Sequence, residues 1–470
     1  MTRVLSVTSE CVPLIKTGGL ADVAGALPAA LAPHGVEMRT VLPGYRVVMA
    51  AQGHDAPVVM ELGDLFGGPA RIRRGTLADA VLYILDAPHL FDRDGGPYLG
   101  PDGKDWPDNP QRFAALDRAA AIIARDGIEG WHPQILHLHD WQAGLAPVYL
   151  RQLGVSGVKS LLTIHNIAFQ GLAPAHMLGA LQLPAHLFTP QGFEYWGRIS
   201  ALKAGIVFAE KVSTVSPTYA EELMTPEFGM GMEGVLASRG GDFVGILNGI
   251  DLDAWTPPFA DLEGKARARA RLRAEFGLPE TAGPLCVVVS RLSEQKGLDL
   301  LIEALPALIE NGGQLIVLGA GDARIESALR EAAERNPANV ALRIGYDEAL
   351  AHRMIEGGDA ILVPSRFEPC GLTQMYGLRY GTLPVVSLTG GLADTVINAS
   401  AAAMGAGVAT GLQFHPVNAP ALARTLARMV QLYRQPRLWQ AMVANAMAQP
   451  VGWDASARAY ADLFKVMTTA

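Results

Sequence analysis

Short β-branched apolar runs alternate with helix-forming segments along this chain, in two series separated by a stretch that lacks the pattern. In the first series "RVLSVTS", "EMRTVLPGY", "AVLYILDAP", "QILHLHDW", "KSLLTIHN" and "KVSTVS" read as strands. Their apolar character is nearly continuous, as strands covered on both faces by crossover helices require, so the pattern predicts α/β architecture with parallel sheets. "LADVAGALPAALAPHG" reads as a helix ended by Gly35, and Ser216-Pro217 as an N-cap with proline at the first helical position. From Asn248 to Pro284 the alternation is lost; "PLCVVVSRL", "GQLIVLGAG", "VALRIGY", "AILVPS" and "LPVVSL" then resume it. A chain of 470 residues is too long for one ordinary core. The expected division is a Rossmann-like domain over 1–245, a second over 246–453, and a C-terminal helix, 454–470, packing back on the first. Doubly wound sheets bind ligands at the carboxyl ends of their strands, so the two are expected to face each other across a deep cleft.

Composition narrows the function classes. A net charge of −8 argues against a nucleic-acid partner, whose phosphates need a basic surface. The basic run "KARARARLRAEF" reads as a solvated helix face. No apolar run approaches the ~20 residues of a membrane span, and "MTRVLSVTSE" reads as a strand, not as a signal peptide. Three scattered cysteines, Cys11, Cys286 and Cys370, fit a reducing compartment, and a cytoplasmic location is expected.

The motif TGGLAD occurs twice, at Thr17–Asp22 and Thr389–Asp394, each time after an apolar run and before a helix-forming segment. Two glycines admit a ligand close to the backbone, and amides at a helix start favour phosphate oxygens. Alternatively the motif is only a tight strand-to-helix turn. Cations stand near both copies: Lys16 beside the first, and Arg291 and Lys296 in "SRLSEQKGLDL", where a strand runs into a helix in the second series. Glu368 follows another strand and precedes Pro369-Cys370-Gly371, where a carboxylate can accept from sugar hydroxyls. Cys370 lacks a recognisable base partner for a nucleophilic role.

Rival chemistries are weaker. His137-X-His139-Asp140 puts two imidazoles on one strand face, as a metal site would, but no remaining ligands are evident. Asp251-X-Asp253 lies in the Pro-rich linker, and "GAGD" at Gly319 lacks the third glycine of a dinucleotide fingerprint.

The motifs "KTGGLADV", "HDWQAGLAP", "TIHNIAFQG", "EFGMGMEGV", "NGID", "SRLSEQKGLDL", "RFEPCGLTQMYGLRYG" and the second "TGGLADTV" run in order through almost the whole chain. Together they resemble the bacterial glycogen synthases. The resemblance implies a GT-B fold and a retaining glucosyltransferase that moves glucose from ADP-glucose to the non-reducing end of an α-1,4-glucan. No cofactor, metal, membrane or nucleic-acid partner is implied. Glu368, His165, Lys296 and Arg291 would carry the chemistry. Lys16, Gly18, Gly19, Asn248, Arg291, Lys296, Tyr346, Glu368, Cys370, Gly371, Thr389, Gly390 and Gly391 would bind the donor, with Tyr346 stacking on adenine. Tyr98, Asp140, Trp141 and Asn166 would meet the acceptor. Position 376 is Tyr where other GT-B relatives carry a second glutamate, so no ribose contact is assigned there.

Overall fold

Parallel pairing accounts for most of both main sheets in the computed structural model, which describes residues 1–469. Contacts divide the chain into two units, Met1–Gly249 with the segment from Trp453 onward, and Ile250–Gly452. In the first unit the strands are β1 Thr2–Val7, β2 Val36–Pro43, β3 Val58–Asp64, β4 Pro69–Leu77, β5 Ala80–Asp86, β6 Ile135–His139, β7 Lys159–Ile164, β8 Leu172–Pro174, β9 Glu194–Tyr195, β10 Arg198–Ser200, β11 Lys211–Thr214 and β12 Phe243–Gly245. In the second they are β13 Leu285–Val289, β14 Gln314–Gly319, β15 Val340–Ile344, β16 Ala360–Val363, β17 Leu383–Ser387 and β18 Leu412–Phe414.

The first large sheet has the order β12-β11-β7-β6-β1-β2-β5-β4-β3, and the second β15-β14-β13-β16-β17-β18. Strand order therefore reverses between β1 and β6 in one unit and between β13 and β16 in the other. These are the switch points at which open α/β sheets leave a crevice for ligands. Two Rossmann-like α/β units are thus present, as the alternation predicts.

The continuous apolar strands are buried as their composition requires, including all five residues of β6 and all four of β16. Ser216 does cap the helix Pro217–Leu223, its hydroxyl accepting from Tyr219 N at 3.2 Å. The C-terminal helix Asp454–Thr469 sends Ala457, Tyr460, Phe464 and Met467 into a core with Val4, Val23, Leu27 and Ile135.

Two features depart from the sequence reading. β3 and β4 form an antiparallel edge hairpin that was not foreseen, because its strands carry charges in alternate positions. Arg71 and Arg73 of β4 both donate to the Asp86 carboxylate at the end of β5, and together they hold that acid below the usual carboxylate range against the cost of burial. The basic run is only in part a solvated face: Arg267 and Arg271 are exposed, whereas other cations of the run turn inward. In the helix Leu262–Glu275, Lys265 is buried and donates to Glu356 O and Thr382 Oγ1, while Arg269 pairs with Asp359 at 2.8 Å. These cations anchor the helix to the second unit.

Candidate active site

Chemically capable side chains gather where the topology places them, at the carboxyl ends of the central strands of each unit. In the first unit, β1 runs out into Thr8-Ser9-Glu10, β6 into His139-Asp140, and β7 into His165-Asn166. The Glu10 carboxylate is 3 % exposed, yet it accepts from Thr17 Oγ1 at 2.6 Å, Gly18 N at 3.1 Å, Tyr98 Oη at 2.5 Å and the Thr17 amide. An internal carboxylate thus occupies the anion cradle formed by the first TGG turn. The Gly18 amide, expected to face donor phosphates, is donated to Glu10. Lys16 and Gly19 are exposed beside it, and Lys16 Nζ pairs with Asp22 at 2.8 Å.

Tyr98 was expected to meet the acceptor. Instead its hydroxyl is turned inward onto Ser9 and Glu10, and its ring lies against Phe113. Burial and the Glu10 charge push its phenol well up. Trp141 likewise packs edge-on against Phe113 at 5.0 Å and lines an apolar cavity with Leu145, Ala173 and Ile199. Asp140, also expected at the acceptor, is buried with φ +56°; its Oδ1 accepts from His165 N at 2.7 Å and Asn166 N at 3.3 Å. It braces the end of β7. Burial, countered by those two amides, raises its carboxyl to about 7.

His165 does not stand alone. Its Nε2 lies 2.9 Å from His139 Nδ1, and His139 Nε2 lies 3.1 Å from Ser6 Oγ on β1. Burial holds all three neighbouring imidazoles neutral: His165 and His137 fall to about 3, and His139 falls well below its ordinary value. His137 and His139 do share a face, with ring centroids 4.3 Å apart. Among the described residues, however, no group of three or more His, Cys, Asp or Glu side chains is arranged to hold a metal ion. Asn248, near the exit of this unit, is buried, and its Oδ1 has no hydrogen-bond partner among the described residues.

In the second unit Lys296 Nζ meets Glu368 Oε2 at 2.5 Å, and Ser365 Oγ donates to the same oxygen at 2.9 Å. The two loops that carry this pair are joined by elements the sequence reading missed. Arg366 N donates to Gln295 O at 2.8 Å, and the Arg366 guanidinium makes a two-pronged bond to Asp299 at 2.7 and 2.6 Å. A charge-assisted fork of this kind fixes geometry as well as adding energy. Arg366 could have been found as the strand-end cation nearest Glu368 in "SRFEP".

The second TGG turn differs from the first. Thr389, Gly390 and Gly391 are buried, and the Gly391 amide donates to the carbonyls of Glu368 and Pro369, so it is not offered to a diphosphate. Gly390 adopts φ +42°, and a Cβ there would lie 2.0 Å from Glu368 O; at Gly391 it would lie 2.1 Å from Cys370 O. These glycines seat the Glu368 loop against β17. Cys370 is buried within that loop, while Gly371 is partly exposed. Arg291 is exposed beyond the end of β13, with no carboxylate paired to it among the described residues. Tyr346, beyond β15, is 82 % exposed.

Residues 3–238 match the family model described as starch synthase catalytic domain, and residues 269–446 that described as glycosyl transferases group 1. The chain is 77 % identical to the glycogen synthase of Paracoccus denitrificans over 99 % of this chain and all of that one. It is 57 % identical to that of Cereibacter sphaeroides over 98 % of each. Among solved structures, the catalytic domain of starch synthase IV from Arabidopsis thaliana, bound to ADP and acarbose, aligns over the whole of both chains with a TM-score of 0.87 and 30 % identity. A sucrose-phosphate synthase from Thermosynechococcus elongatus, at 18 % identity and a TM-score of 0.61, shares the fold.

Proposed function

The chain belongs to the bacterial glycogen synthases, and from that premise we infer that it elongates an α-1,4-glucan by transferring glucose from ADP-glucose to the non-reducing-end 4-hydroxyl, with retention. The observation that carries this reading is full-length identity of 77 % to a glycogen synthase. The cluster at the carboxyl ends of β13, β16 and β17 supports it, because it gathers cations and a hydroxyl-accepting carboxylate where such folds bind ligands.

In this reading Arg291 and Lys296 take the donor's diphosphate, and Tyr346 offers a ring to the adenine. Glu368 accepts from glucose hydroxyls while its charge holds Lys296 in place. Lys16 and His165 serve the donor from the first unit, with Asp140 acting as the brace that fixes His165. Neither of the residues nearest a nucleophilic role is poised for one: Glu368 is paired to Lys296 and Ser365, and Cys370 is buried. We infer front-face transfer. The glucose C1–O bond opens with its electron pair passing to the β-phosphate oxygen. The acceptor 4-oxygen bonds to C1 on the same face, and its proton moves to that phosphate oxygen. The protein contributes position and positive charge at the departing ADP.

Incorporation of radiolabelled glucose, compared between ADP-glucose and UDP-glucose with and without a maltooligosaccharide primer, tests the reading. Primer-dependent incorporation that favours ADP-glucose is expected. No incorporation from either donor would overturn the assignment, and a glucosyl group trapped on a side chain would overturn the front-face step.

A further inference from the structure

The buried polar chain behind His165 sets which of its nitrogens carries the proton. Ser6 Oγ, His139 and His165 form an unbroken line from β1 through the end of β6 to the end of β7, with contacts of 3.1 and 2.9 Å. Ser6 and His139 are wholly inaccessible, and His165 is partly exposed. A neutral imidazole has one N–H and one lone pair, so only one of the two facing nitrogens in the His139–His165 contact can donate. Two proton arrangements satisfy that contact.

Ser6 decides between them. Among the described residues its hydroxyl has one hydrogen-bond neighbour, His139 Nε2. If that nitrogen carried the proton, the Ser6 O–H would be a buried donor without an acceptor, the costlier kind of unsatisfied group. If Ser6 donates instead, His139 carries its proton on Nδ1 and donates to His165 Nε2. His165 is then protonated on Nδ1, the nitrogen that no group among the described residues engages. His137 supplies an internal contrast. Its Nε2 meets Thr163 Oγ1 at 2.7 Å, Thr163 Oγ1 meets Ser213 Oγ at 2.8 Å, and its buried Nδ1 has no partner among the described residues. A lone pair on that Nδ1 is tolerated better than an N–H, so His137 is protonated on Nε2, opposite to its neighbour two residues on.

We propose that Ser6 and His139 are positioning residues that lock His165 in the Nδ1–H form, so that it meets the donor sugar as a hydrogen-bond donor to an oxygen. The proposal rests on the reading that His165 contacts the donor; the tautomer itself does not.

Long-range proton–nitrogen correlation spectra of the full-length, ligand-free protein carrying nitrogen-15 histidine report protonation at each ring nitrogen directly. Signals are assigned with single His→Gln variants. Protonated Nδ1 on His139 and His165, with protonated Nε2 on His137, is expected; a proton on His165 Nε2 overturns the proposal. In Ser6→Ala the His139 and His165 signals should move towards averaged tautomers. Turnover should fall about three- to tenfold, with smaller changes in KM, and Ser6→Thr should restore both. Unchanged spectra and turnover in Ser6→Ala would equally overturn it. An intact tautomer pattern in a protein that transfers no glucose would instead count against the functional reading alone.

Discussion

Replacing Gly391 by alanine sets a methyl carbon 2.1 Å from Cys370 O, whereas real Cβ–oxygen contacts stay beyond about 3.0 Å. The start of the helix Gly390–Thr395 and the loop 368–371 must therefore separate by about 0.9 Å, the difference of those two distances. Neither side can yield cheaply, since both contacts are backbone and the Gly391 amide already bonds the carbonyls of Glu368 and Pro369. Overpacking costs about 1–3 kcal/mol, and stretching those bonds adds about 1 kcal/mol. The second unit should lose about 2–4 kcal/mol, which lowers its melting temperature by roughly 5–15 °C. The same shift disturbs the loop that holds Glu368 on Lys296, and a displacement near 1 Å at a reacting centre costs about a hundredfold in rate. Gly18→Ala is the control, because that position is exposed, has φ −153°, and would place its Cβ within 4 Å of nothing. It should melt as the parent does, so any loss of activity reports how closely a ligand approaches. Calorimetric unfolding and the radiolabel assay measure both quantities. A Gly391→Ala protein with parental melting and turnover would refute the reasoning, as would a Gly18→Ala protein that is strongly destabilised.

Glu368→Ala should lower turnover by about 10²–10³-fold while cooperative unfolding persists, because a group that organises charge at the reacting centre is lost; parental kinetics would remove Glu368 from the site. Tyr346→Ala should raise the KM for ADP-glucose about tenfold with little change in kcat or melting, since the ring is 82 % exposed and base stacking contributes about 1–3 kcal/mol; an unchanged KM would end its assignment to adenine. The buried rings of the first unit oppose its stability in acid. His137, lowered to about 3, is neutral when folded, so its contribution is complete above about pH 6.5 and is lost as pH falls, about 2 kcal/mol by pH 5. The Asp140 carboxyl, raised to about 7, acts in the opposite sense. Denaturant titrations at pH 7 and 5 should therefore show stability shifting towards the acid side by about 2 kcal/mol in His137→Gln relative to the parent, and an identical pH dependence in the two proteins would contradict the reasoning.

The alternation of strands and helices was legible because parallel sheets bury both faces, and burial writes itself into the sequence as apolar runs such as "ILHLH" and "AILV". The edge hairpin β3–β4 was not, because its outward residues are charged and one of its arginine partners, Asp86, lies on another strand. Candidate residues were legible where a polar or charged side chain follows an apolar run, as with Glu368, Lys296 and His165. What those residues touch was not. The two TGGLAD copies are identical in letters, yet one is exposed and capped by Glu10, while the other is buried and wedged against Cys370. The difference lies in segments that precede each turn by several to twenty residues, and no property of the motif itself encodes it.

Strand order is the missing variable in the histidine cluster as well. Alternate positions 137 and 139 were enough to place two imidazoles on one face, and the rings do lie side by side. Their chemistry is decided by which strands flank β6. With β1 on one side, Ser6 reaches His139; with β7 on the other, Thr163 reaches His137 and His165 reaches His139. A carboxylate beside β6 would favour the charged imidazole over the neutral one. The order β7-β6-β1 surrounds them with hydroxyls and a third imidazole, each able to take one proton or give one. That makes the cluster a neutral, directional hydrogen-bond chain ending at the residue the donor sugar is proposed to meet.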